Sequence, residues 1–91
     1  MIPKGSRHIL VCPAQLRAGR GLLGWSQSDL ARHAGLSLPT VKRVETDLGI
    51  RVSEEARLKL CRALAGGGVE FIPENGGGAG VRFRKRQVSK T

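Results

Sequence analysis

Residues 26–45 read SQSDLARHAGLSLPTVKRVE, and two helix starts are spelled out within them. Ser26 is a natural N-cap, with Asp29 three residues on as the acidic form of a capping box. Trp25 and Leu30 stand at the two positions of a hydrophobic staple. The same grammar repeats at once: Ser37 caps, Leu36 and Val41 form the second staple, and Pro39 falls in the first turn. Only Gly35-Leu36 separates the first helix from the second cap, and Gly35 suits a residue at positive φ. Helices joined by so little chain must cross sharply. Leu30, Ala31 and Ala34 then share one face, and Val41, Val44 and Glu45 turn toward the same interior. Ala31 is small where a crossing helix approaches closely, and Val41 is a branched plug for the angle.

Outward from this pair, Pro13 suits the first turn of an earlier helix carrying Leu16, Arg20 and Leu23, with Gly24 ending it. Gly19 and Gly21 weaken that helix in isolation, so packing must hold it. A fourth helix follows Ser53 as cap, with Glu54 and Glu55 favoured by the helix dipole and Leu60, Cys61 and Leu64 as its buried stripe. Arg57, Lys59 and Arg62 are expected on its solvated side, and Gly66-Gly67-Gly68 ends it. VEFI (69–72) and VRFR (81–84) alternate apolar with charged residues as half-buried strands do, with Pro73 and the Gly-rich ENGGGAG between them. They suit a β-hairpin with a long loop, or two strands that pair with another copy. The expected organisation is an N-terminal arm over 1–11, a helical domain over 12–67, the strands over 68–84 as a candidate dimerisation element, and a basic tail over 85–91.

Ninety-one residues suffice for one domain, not two. Sixteen Lys and Arg against seven Asp and Glu give a formal charge of +9, a field that attracts polyanions, with nucleic acid the first candidate. No stretch approaches the roughly 18 apolar residues of a membrane span, and the first residues make no convincing signal peptide. Cys12 and Cys61, far apart, suit reduced structural thiols in a cytoplasmic protein; with His only at 8 and 33, no metal site is expected. No paired carboxylates and no Ser/His/Asp set suggest catalysis. The GGGAG segment lacks the GK[ST] ending of a phosphate loop. The expectation is no enzyme activity, no cofactor and no small-molecule ligand.

The register Ser-Gln-x-x-Leu-Ala-x-x-Ala-Gly-Leu-Ser-x-x-Thr-Val-x-x-x-Glu is complete in residues 26–45. In this the chain resembles the lambda-repressor-like, Cro-type (Xre family) helix-turn-helix regulators, from about Gln15 to Leu64. The resemblance implies a mainly α fold, a bundle of four to five helices, here with a C-terminal β-hairpin or pair of strands. It also implies operator-like DNA as partner and a homodimer. By position, Gln27 contacts a backbone phosphate and braces the recognition helix, while Ser37 and Thr40 help with phosphates or nearby bases. Leu38, Pro39, Lys42 and Arg43 face base edges. Arg43 is the best candidate for a bidentate contact to guanine, and Leu38 and Pro39 offer only apolar contacts. Arg20 and Glu45 match a structural ion pair between the first and third helices. Relatives usually place Gly two residues after the Glu, where this chain has Asp47 and only then Gly49, leaving the loop over 46–52 the least secure part; its Arg51 is a candidate phosphate contact.

The expected function is a sequence-specific DNA-binding transcriptional regulator of bacterial or phage type that inserts the helix over 38–46 into the major groove. The rival expectation is a protein-interaction module, such as an antitoxin or accessory factor, that uses the C-terminal strands.

Overall fold

The computed structural model describes residues 11–46 and 53–85. The expectations for residues 1–10, for the turn with Asp47 and Gly49, for Arg51 and for the tail beyond Lys85 lie outside the described residues.

Four helices, α1 (Pro13–Leu23), α2 (Gln27–Ala34), α3 (Leu38–Glu45) and α4 (Glu54–Gly66), are followed by strands β1 (Val69–Ile72) and β2 (Gly80–Phe83). The caps sit where the sequence puts them. Ser26, Ser37 and Ser53 are extended and accept from the backbone N–H three residues on, and Asp29 returns the bond to the Ser26 N–H at 2.9 Å. That Ser26 N–H, then the Ser26 hydroxyl, hold the Asp29 carboxyl below its usual range. Gly35 takes φ 71°, and its N–H and that of Leu36 bond back to Arg32 and Ala31, the left-handed turn that a side chain would strain. Two boundaries differ by one residue from expectation. The recognition helix ends at Glu45 with Thr46 as its cap, because the Thr46 hydroxyl bonds the Arg43 carbonyl and closes the last turn. β2 runs 80–83 rather than 81–84, since the Arg84 side chain turns aside to the Ala65 carbonyl at the end of α4.

Leu16, Leu30, Val41, Val44, Leu60, Cys61, Leu64 and Val69 form one core, each contributed by an element that could not bury it alone. Full burial of a side chain such as Leu60 stabilises the fold by about 2 kcal/mol. Val11 belongs to this core and not to an arm, because α1 begins directly after it. Cys61 is fully buried, which pushes its thiol up to about 12.

The strands pair antiparallel within one chain, Val69 opposite Phe83 and Ile72 opposite Gly80. Phe71 and Val81 pack with Val69 against the core, while Glu70 and Arg82 pair on the outer face at 3.2 Å, which raises the Arg82 pKa. The hairpin is therefore part of the folded body. Two residues of α1 dock it. Gln15, buried, donates from Nε2 to the carbonyls of Ile72 (3.2 Å) and Gly80 (2.9 Å) and accepts from the Cys12 N–H. At Gly19 a β-carbon would lie 3.3 Å from both Leu64 and Val69, so the glycine that weakens α1 is what lets α4 and β1 come close.

Candidate nucleic-acid interface

Glu45, at the end of α3, is 2 % exposed, and every polar atom it offers is engaged. Its carboxylate takes a two-pronged bond from Arg20, Nε to Oε2 at 2.9 Å and Nη2 to Oε1 at 3.0 Å. Gln27, the first residue of α2, donates Nε2 to the same Oε1 at 3.0 Å. The Glu45 carbonyl, an orphan of the helix end, accepts from Arg17 Nη1. Arg20 also reaches the Trp25 carbonyl at 3.2 Å, in the link between α1 and α2. One buried residue thus ties α3 to α1 and to the start of α2. A planar guanidinium suits this place, because its fixed fork meets a carboxylate with two parallel bonds.

The opposite side of α3 is unencumbered. Pro39, Lys42 and Arg43 are exposed and Leu38 is half-buried. The Lys42 and Arg43 side chains make no hydrogen bond or ion pair among the described residues. Ser37 and Thr40 lie beside them with their hydroxyls 2.9 Å apart, and the Ser37 hydroxyl also accepts from the Thr40 N–H. Of the residues singled out in the sequence, these six run along the outer side of α3, from its Ser37 cap to Lys42 and Arg43 in its last turn. Gln27 instead sits behind them with one amide proton committed to Glu45, and Arg20 lies inside with its partner. Such a helix, carrying cations and hydroxyls, matches a major groove about 12 Å wide.

The family model described as a helix-turn-helix domain matches residues 14–71, which takes in α1 to α4 and most of β1. The chain belongs to that family. The match and the small helical body fit an Xre/Cro-type helix-turn-helix regulator, and this helix-turn-helix protein is accordingly a DNA-binding regulator in general terms. No curated protein matches it at a significant level. No helix among the described residues is long and apolar enough to cross a membrane, and none of them gather three or more His, Cys, Asp or Glu as a metal would need.

Three residues of the helix-turn-helix framework escaped the sequence reading. Arg17 resembles any other exposed cation until the end of α3 is placed beside it. Gln15 carries a polar tip on an apolar face, a sign that a partner was needed but not which one. His33, which stays exposed, stacks on Trp25 with ring centroids 4.0 Å apart and planes within 3°. Its place in the last turn of α2 turns it back over the residue that precedes the Ser26 cap.

Proposed function

We propose that this helix-turn-helix protein is a sequence-specific transcriptional regulator of the Xre/Cro type, acting in the cytoplasm as a homodimer and performing no catalysis. α3 enters the major groove and presents Leu38, Pro39, Lys42 and Arg43 to base edges. Arg43 takes guanine by a bidentate contact worth about 1–3 kcal/mol of discrimination. Ser37 and Thr40 serve phosphates, and Gln27 offers a phosphate its second amide proton at the start of α2, where free N–H groups favour an anion. A twofold protein matches half-sites about 34–36 Å apart. The observation that carries the reading is the contrast on α3 between a fully engaged Glu45 inside and two exposed cations outside, Lys42 and Arg43, that have no side-chain partner among the described residues.

Selection of sites from a random DNA pool, run in parallel on wild type and Arg43→Ala, tests it. Wild type should enrich one motif and the variant should lose preference at one position of it. An unchanged motif with Arg43→Ala would show that α3 is not the reading helix.

A further inference from the structure

We propose that the outer edge of β2 is the dimer seam, on which a second copy of this chain lays its own β2 antiparallel with Val81 opposite the partner's Val81. This rests on the dimeric reading above and adds the surface and the register.

The hairpin fixes which backbone groups of β2 face outward. The Arg84 N–H bonds the Gly68 carbonyl at 2.7 Å, while the Gly68 N–H turns back to Ala65, so Arg84 points its N–H toward β1 in the register that sets Glu70 opposite Arg82 and Ile72 opposite Gly80. Bonded and unbonded pairs alternate along an antiparallel ladder. Val81 and Phe83 therefore turn their N–H and C=O away from β1. Neither residue makes a backbone bond elsewhere among the described residues. Such a row of unpaired groups is a template for another strand.

The composition of the edge selects a copy of itself, and one register of it. A twofold axis at Arg82 would face two guanidinium groups, and an axis at Phe83 would set Arg82 against the partner's Arg84. An axis at Val81 separates the cations. Val81 and the partner's Val81 then exchange two bonds, Phe83 reaches the backbone of the partner's Ala79, and Arg82 lies across from the partner's Gly80. That last pair belongs to the unbonded class, in which the strands come closest. Gly80 has room for it, since a β-carbon there meets no atom within 4 Å. Charge agrees as well. Arg82 is matched on its own chain by Glu70, at 3.2 and 3.3 Å, and Arg84 falls opposite the partner's glycine-rich loop, which carries Glu74 and no cation. Because the same patch serves both copies, the contact closes at two.

The decisive variants are Gly80→Lys and Gly80→Glu in the full chain. Both point a side chain into open space on the isolated fold, so cooperative thermal unfolding should persist in each. In the dimer the new ammonium would meet the partner's Arg82 twice, and the new carboxylate would pair with it twice. Sedimentation equilibrium should show Gly80→Lys dissociating about tenfold more readily and Gly80→Glu several-fold less, the effect of two cross-strand pairs. Amide exchange on the wild type adds a readout that needs no variant: the Val81 and Phe83 amides should gain protection as protein concentration rises through the dimer range. A wild-type dimer with equal dissociation constants for both variants, or with Val81 and Phe83 still exchanging freely, overturns the seam and leaves the dimeric regulator standing. A chain that stays monomeric both alone and on its selected DNA overturns both.

Discussion

Arg20 and Glu45 meet through two bonds of 2.9 and 3.0 Å in a site where the carboxylate is 2 % exposed. The pair joins the first helix to the third, 25 residues apart in sequence. Its energetic meaning lies in what remains when one member is removed. Arg20→Ala leaves a buried carboxylate with Gln27 as its side-chain partner and should destabilise the fold by about 2–4 kcal/mol in urea unfolding. Arg20→Met combined with Glu45→Leu should cost less than either single change, because no uncompensated charge remains. A double variant as unstable as the sum of the singles would contradict this.

Lys42 and Arg43 are adjacent on α3 but should behave differently on DNA. Lys42→Ala removes a base-facing point charge that has no bidentate fork, so it should relax base preference less than Arg43→Ala does while lowering the slope of log affinity against log salt by about one. Titrations at several salt concentrations with cognate and scrambled duplexes separate the change in slope from the change in base preference. Neither Lys42→Ala nor Arg43→Ala should shift the melting temperature appreciably, since both side chains are exposed and bond to none of the described residues.

The two cysteines should differ in reactivity. Cys12 is exposed, whereas Cys61 is buried with its thiol pushed up to about 12. An alkylating reagent at neutral pH should label Cys12 in the native state and Cys61 only at the rate of unfolding, because the thiolate is the nucleophile. Mass spectrometry of digested samples over time reads both sites; equal labelling under native conditions would contradict the buried placement.

Asp29 gives the α2 cap an acid limit. Bonds from the Ser26 N–H and hydroxyl lower its pKa from the ordinary 3.8. Its contribution is therefore complete above that ordinary value and is lost as pH falls through the lower folded value. Asp29→Asn should be less stable than wild type at neutral pH, and the gap should shrink as the medium is acidified past that range. Thermal melts across an acid series measure the gap directly; a gap that widens on acidification would reverse the assignment.

Gln15→Leu should loosen the hairpin without disturbing the α2–α3 pair. It removes the bonds to Ile72 and Gly80 and strands the Cys12 N–H, at a cost of about 1–3 kcal/mol. Hydrogen exchange should show faster opening of residues 69–83, with the amides of α3 little changed by comparison.

What the sequence made legible was whatever is encoded within a few residues. The serine caps, the Asp29 box, the glycine at the turn and the apolar stripe of α4 are local, and each is found in the structure. The match at residues 14–71 agrees with the resemblance read from the register of residues 26–45. What was not legible depends on distance. Gln15 finds its acceptors 57 and 65 residues away, and Gly19 looked like a weakness until Leu64 and Val69 closed on it. Whether the strands pair within a chain or between chains was open in the sequence, because alternation marks a strand but not its neighbour. The tight link of β1 to the end of α4 brings it into the core, and β2 follows by its loop.

Glu45 separates what holds α3 from what α3 shows. The bonds to Glu45 seat the helix from its inner side and its end, while the exposed side chains of Pro39, Lys42 and Arg43 make no hydrogen bond or ion pair among the described residues. Substitutions at those three positions are thus free to alter the preferred operator while the mount stays as it was. The same body can acquire a new address on DNA in single steps, with no intermediate that has to survive a loss of fold. Copies of such a gene could diverge in target long before they diverge in shape.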